Sequence, residues 1–167
     1  MASEGYAERL KGALDSTNIG HLVVFARAMR RADMVYVLGN GGSQANAAHL
    51  VLHLRDNNIR AFDMLADSAW VSATSNDYNY DDLPKHMPIC RPNDILFVIS
   101  GSGDSPNVLT LLDTPNVIKI GLLGMKGGAA ALKCTSFVIV GSDEYGIIED
   151  IHLTCIHILN ELLKEGA

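Results

Sequence analysis

Cysteine is scarce in this chain. Cys90, Cys134 and Cys155 are too few and too far apart for a disulfide framework or a paired-cysteine metal site, and their use fits a reducing cytoplasm. Aromatic residues are only 6% of the 167, which points to an aliphatic scaffold. No apolar run approaches the roughly 20 residues that a membrane span requires. Glu4, Glu8 and Arg9 break up the amino terminus before the apolar core of a signal peptide can form. Basic residues are also few, 13 Lys and Arg against 19 Asp and Glu, for a net charge of −6. Such a balance excludes a surface that coats nucleic acid, and it requires any anion to be held by local devices. A cytoplasmic protein with neither nucleic acid nor membrane as partner is expected. Glycine, by contrast, is plentiful at 15 residues, which implies many tight turns.

No repeat, low-complexity tract or linker divides the chain, so residues 1–167 read as one domain. The first thirty residues carry Tyr6, Leu10, Leu14, then Leu22, Phe25, Ala26 and Met29 at helical spacing, with a break at Asn18–Gly20. Short apolar runs then follow at Met34–Leu38, Ile59–Met64, Ile95–Ile99, Val117–Leu123 and Phe137–Val140. Runs of this kind, bounded by turn residues, are the pattern of strands buried on both faces. Helix-compatible stretches at 43–55, 67–75, 105–113, 127–133 and 145–164 separate them. Strands that alternate with helices predict an α/β fold: a doubly wound, about five-stranded parallel sheet flanked by helices. Ligands of such sheets bind outside the carboxyl ends of the strands.

Two of those ends carry related loops. The first predicted strand runs into Gly39-Asn40-Gly41-Gly42-Ser43, and the third into Ser100-Gly101-Ser102-Gly103-Asp104-Ser105-Pro106-Asn107. Glycine lets backbone approach a ligand closely, while hydroxyls and helix N-terminal amides donate to an anion, so phosphate is the natural guest. Ser43 and Ser105 also suit helix N-caps, with Pro106 at the first helical position. Neither loop has the GxxxxGK[ST] of a nucleoside triphosphatase or the GxGxxG of a dinucleotide site.

His49 and His53 stand four apart on a predicted helix, and Glu149 and His157 share a face of the last one across about two turns. His152 is displaced from that face. Three imidazoles and a carboxylate suit Zn²⁺ or a similar divalent ion, and histidines among leucines also occur as plain packing residues.

Together these segments resemble the SIS (sugar isomerase) domain family, and most closely its phosphoheptose isomerase branch. The resemblance rests on Gly39–Ser43 with Ala47 and His49, on Asn76-Asp77, on Ser100–Val108, on Gly124-Met125-Lys126-Gly127-Gly128, and on Glu149, His152 and His157-Ile158-Leu159. It implies an aldose–ketose isomerase for a sugar phosphate, most closely sedoheptulose 7-phosphate to heptose 7-phosphate. It also implies zinc or another divalent metal on His49, His53, Glu149 and His157. Substrate and phosphate contacts are implied at Asn40, Gly41, Gly42, Ser43, Asn76, Asp77, Ser100, Gly101, Ser102 and Ser105, and acid/base roles at His157, Glu149 and His53. The branch has glutamate where this chain has His53, glutamine where it has Glu149, aspartate where it has Gly146 and Asn46, and threonine where it has Gly101.

An enediol mechanism needs a base near the substrate carbon and an acid near the carbonyl, with phosphate binding to fix the reacting carbons. The resemblance implies a homotetramer whose sites take residues from neighbouring subunits; His21, Leu22 and Phe25 in the segment 1–30 are expected to serve that packing. Two alternatives stand beside the heptose reading. One is a non-catalytic phosphosugar-binding or partner-binding SIS module, like relatives that contact the replication initiator. The other is an isomerase of a different sugar phosphate.

Overall fold

A computed structural model describes residues 2–87 and 91–166, and Cys90 lies outside them. Five parallel strands form one sheet: β1 (Val35–Leu38), β2 (Ala61–Asp63), β3 (Ile95–Ser100), β4 (Ile118–Gly124) and β5 (Ser136–Val140), in the order β2-β1-β3-β4-β5. The predicted α/β doubly wound sheet is therefore the observed one. β3 is central and buried at every position, with Ile, Leu, Phe and Val running up to Ser100 at its carboxyl end, as a strand covered on both faces requires. β2 lies at an edge and spans only three residues, shorter than its apolar run predicted.

Helices α1 (Ala2–Ser16), α2 (His21–Met29), α3 (Gly42–Asp56) and α7 (Tyr145–Glu165) cover one face of the sheet. Helices α5 (Pro106–Leu112) and α6 (Gly128–Lys133) cover the other. Helix α4 (Ser68–Asp77) and a 3-10 segment, Tyr80–His86, link β2 to β3. The 3-10 segment was not expected. Its sequence is polar and without period, and it begins where the Asn79 side chain accepts from the Asp82 amide at 2.8 Å.

The amino-terminal segment departs from expectation in its packing. Leu22 and Phe25, expected between subunits, are fully buried within their own chain, and Phe25 meets Phe97 of β3 edge to face at 6.0 Å. Four apolar residues at helical spacing on α2 close this chain's own core, which leaves only His21 outside, 3.1 Å from the Ser136 hydroxyl. Cys134 and Cys155 are free thiols, and burial pushes both up to about 11. No helix among the described residues is long and apolar enough to cross a membrane.

Candidate active site

β1 and β3 are neighbours from which the chain winds away in opposite directions, which makes the gap between their carboxyl ends the switch point of the sheet. Both glycine loops emerge there. Gly39 turns β1 into α3 so tightly that a Cβ on it would stand 2.4 Å from the Ser43 carbonyl oxygen. Gly41 follows with φ of +56°, which glycine adopts without strain. Between the loops lies a pocket of about 270 Å³ lined by Asn40, Gly41, Gly42, Ser43, Ser100, Gly101, Ser102 and Ser105, together with Ile99, Tyr145 and Glu149. No lysine or arginine lines it, so the donors that meet an anion there are neutral, and the Glu149 carboxylate is the one charged side chain in the lining.

The serines are set as donors. Ser100 Oγ accepts from the Gly103 amide at 3.0 Å, and Ser102 Oγ accepts from the Asp104 amide at 3.1 Å. A hydroxyl whose lone pair is engaged in this way keeps its proton for a ligand. Ser105 occupies the N-cap of α5, but its side chain makes no capping bond. Ser43 lies inside the first turn of α3, whose N-cap is Gly41. Capping therefore uses neither hydroxyl.

The two loops are tied to each other. Asn40 and Asn107 exchange reciprocal amide bonds at 2.9 Å, and Tyr80 donates to Asn40 Oδ1 at 2.7 Å. The Asn40 side chain is thus engaged in holding the cradle. From below, the second loop is braced by the turn after β4. Gly103 has φ of +72°, and a Cβ there would stand 2.0 Å from the Gly127 carbonyl oxygen. The Gly103 carbonyl accepts from the Ala130 amide at 2.9 Å, and the Asp104 carboxylate accepts from the Ala129 amide at 2.8 Å.

Helices α3 and α7 run side by side in parallel. Asn46 Nδ2 donates to the Glu149 carbonyl at 2.9 Å near one end of the seam, and Asn57 Nδ2 donates to Asn160 Oδ1 at 2.9 Å near the other. Between them His49, His53 and His157 converge, with one ring nitrogen from each all within 4.8 Å of one another. His49 Nε2 and His157 Nε2 are 3.1 Å apart. The two ligand helices therefore meet within one chain. Half-buried among other imidazoles, His53 is held below the usual histidine pKa, first by loss of solvent and then by His49 and His157. Its Nε2 is buried without a partner among the described residues. Three clustered imidazoles, one of them with an orphaned nitrogen, fit a divalent metal of the zinc type.

Glu149 is not part of that cluster. It precedes His157 by two helical turns, about 12 Å along the axis, and its carboxylate lies against Gly42 at the mouth of α3. Within one chain the expected four-residue set is thus divided: three histidines on the seam, and a carboxylate in the pocket. Asn76 and Asp77 close α4 at exposed positions, bonded to each other at 3.1 Å, and neither lines the pocket. His152 faces the core with no exposed surface, and burial pushes it down to about 4, opposed in part by the Leu123 backbone.

Sequence reasoning missed Tyr145, Asn107 and Tyr80. Asn107 stands in the second loop, and its tie to Asn40 across 67 positions has no local signal. Tyr80 and Tyr145 are brought in by the 3-10 segment and by the start of α7, which no local pattern ties to the strand ends.

Serine-bearing glycine loops at the switch point of a β2-β1-β3-β4-β5 sheet, with a carboxylate at their centre, define a protein of the sugar-isomerase class. A scan against protein-family models finds none that matches. Among curated proteins, the phosphoheptose isomerase of Pelobacter propionicus is 32% identical over 150 residues, covering 83% of this chain and 79% of its own. That of Campylobacter jejuni (serotype O:6) is 30% identical over 171 residues, covering 96% and 90%. Among solved structures, the phosphoheptose isomerase of Neisseria gonorrhoeae superposes with a TM-score of 0.87 at 25% identity, covering 97% of each chain. The chain belongs to the phosphoheptose isomerase family, a family of sugar-phosphate isomerases.

Proposed function

We propose that this protein interconverts a ketose and an aldose phosphate of seven carbons, sedoheptulose 7-phosphate and the corresponding heptose 7-phosphate, in the cytoplasm. The observation that carries the reading is one pocket in which the Glu149 carboxylate faces four serines of the two glycine loops. A module that only binds phosphosugars has no use for a carboxylate opposite its anion loops, whereas an isomerase requires a base there.

In this reading the Ser43, Ser100, Ser102 and Ser105 hydroxyls, with the N-terminal amides of α3, hold the phosphate. Binding energy at that end fixes C1 and C2 of the ketose near Glu149. Glu149 takes a proton from C1, the C1–C2 enediol forms as the carbonyl electrons move to O2, and the same carboxyl returns its proton to C2 while the O1 proton passes to O2. His157, favoured for acid/base work on resemblance alone, stands with His49 and His53 instead, two turns from Glu149. The three histidines would hold a divalent ion such as Zn²⁺, which is a Lewis acid when bound. A homotetramer whose sites take residues from neighbouring subunits belongs to the same proposal.

The test is direct. Purified protein, supplied with Zn²⁺ and sedoheptulose 7-phosphate, is followed by NMR for the aldose product. Formation of the aldose supports the reading. Inertness toward every phosphate of five to seven carbons, with metal present, overturns it.

A further inference from the structure

Tyr145 opens α7 one turn before Glu149 and lines the same pocket. Its ring presses on the second loop where that loop has no side chain: a Cβ on Gly101 would stand 2.7 Å from both Cδ1 and Cε1 of the ring. No real Cβ tolerates that approach, so Gly101 and the Tyr145 ring occupy one space between them. Gly101 is also a place where the chain departs from the loop it resembles, which carries threonine. Departure and ring explain each other, since a threonine at 101 and this placement of Tyr145 are mutually exclusive.

Tyr145 is 55% exposed, and its hydroxyl has no hydrogen-bond partner among the described residues. Packing therefore holds the edge of the ring at Gly101, while its remaining surface and its O–H face solvent at the pocket. One helical turn separates Tyr145 from Glu149, and neighbours at that spacing have Cβ atoms about 5–6 Å apart. Ser100 and Ser102 flank Gly101 on the other side. A sugar phosphate with its phosphate on the serines and its reacting carbons at Glu149 must pass the Tyr145 ring between the two.

Resting on the function proposed above, we infer that Tyr145, seated on Gly101, is a specificity-determining residue. The ring packs on the middle carbons of the sugar chain, and its hydroxyl bonds to a mid-chain hydroxyl. It thereby selects among sugar phosphates by length and configuration without holding the phosphate. A shorter chain leaves the phenol unmatched; a longer one engages it. Such a contact is worth roughly tenfold or more in selectivity.

The experiment compares kcat/KM for five-, six- and seven-carbon ketose phosphates, together with inhibition by inorganic phosphate. The proteins are the parent, Tyr145→Phe, Tyr145→Ala, Gly101→Ala, and the Gly101→Ala/Tyr145→Ala double variant. Expected is a change of roughly tenfold or more in the ratio between chain lengths for Tyr145→Ala and for Gly101→Ala, with inhibition by inorganic phosphate unchanged in Tyr145→Ala. Tyr145→Phe should separate ring from hydroxyl by losing the configurational part alone. Because Gly101→Ala acts by displacing the ring, it should add nothing in the absence of the ring, and the double variant should match Tyr145→Ala. Chain-length ratios that are unmoved in both Tyr145 variants overturn the inference while leaving the isomerase reading intact. If the parent turns over no sugar phosphate, the function proposed above fails. Calorimetric affinities for the same phosphates then decide this inference: selectivity lost in Tyr145→Ala supports it, and equal selectivity, or no sugar phosphate bound at all, overturns it.

Discussion

The Glu149 carboxylate lies against Gly42, and a Cβ on that glycine would stand 2.2 Å from Oε2. The first residue of α3 thus decides where the carboxylate of α7 can rest. Glu149→Gln keeps the size and removes the base, so kcat should fall by about 10²- to 10⁴-fold with little change in inhibition by inorganic phosphate. Gly42→Ala should lower kcat by a smaller factor, since the far end of a flexible side chain can move aside. Steady-state kinetics checks both; a Gly42→Ala enzyme with parental kcat would mean that the carboxylate does not act from this position.

For the histidine seam, the parent should hold about one divalent ion per chain. His49→Ala, His53→Ala and His157→Ala should each lose most of it, as read by elemental analysis after gel filtration. Protons compete with metal for imidazole nitrogen. Because His53 is held below the ordinary histidine value, protons compete less with the metal for its ring than for an unperturbed imidazole. Metal retention should therefore extend below the pH at which an unperturbed histidine would release it. Release at or above that pH would contradict the placement.

His152 makes stability fall in acid. Its folded value is about 4, against 6.5 for the free side chain. Above 6.5 neither state binds the proton. As pH falls below 6.5 the unfolded chain is protonated and the folded one is not, so stability declines until folded His152 also titrates near 4. The full loss is about 3 kcal/mol. Urea unfolding from pH 7 to pH 4 should show that decline, and His152→Leu should flatten it.

Two glycines should respond in opposite directions to the same change. Gly103 has φ of +72° and the Gly127 carbonyl in the space of its Cβ, so Gly103→Ala should cost about 3 kcal/mol or more. Gly12 stands inside α1 with nothing near its Cβ position. Gly12→Ala should stabilise by about 0.5–1 kcal/mol. Thermal melts of the two variants side by side provide the comparison.

The sheet was legible because β3 and β4 are short aliphatic runs closed by glycine, and because buried parallel strands leave no polar period to confuse with helix. The pocket was half legible. Gly41, Ser43, Ser100 and Ser105 announce themselves, since glycine and serine repeat directly after two buried strands, although Ser43 and Ser105 also read as N-caps until the structure shows neither hydroxyl capping. The division of Glu149 from the three histidines was not legible. An angular match around α7 says nothing of axial distance, and eight residues along a helix amount to about 12 Å. Nor could spacing reveal that Asn76 and Asp77 would close on each other at the end of α4 while Tyr145, without a motif, entered the pocket. Tertiary contact alone pairs a tyrosine with a glycine 44 positions earlier.

The brace beneath the second loop bears on how the site comes into being. A growing chain that has reached residue 113 already contains both serine loops, yet Gly103 and Asp104 still lack Gly127, Ala129 and Ala130. Glu149 arrives later still. The brace of the second loop and the base are thus delivered by the last third of the polypeptide, and a partly synthesised chain has the fingers of the grip without the palm.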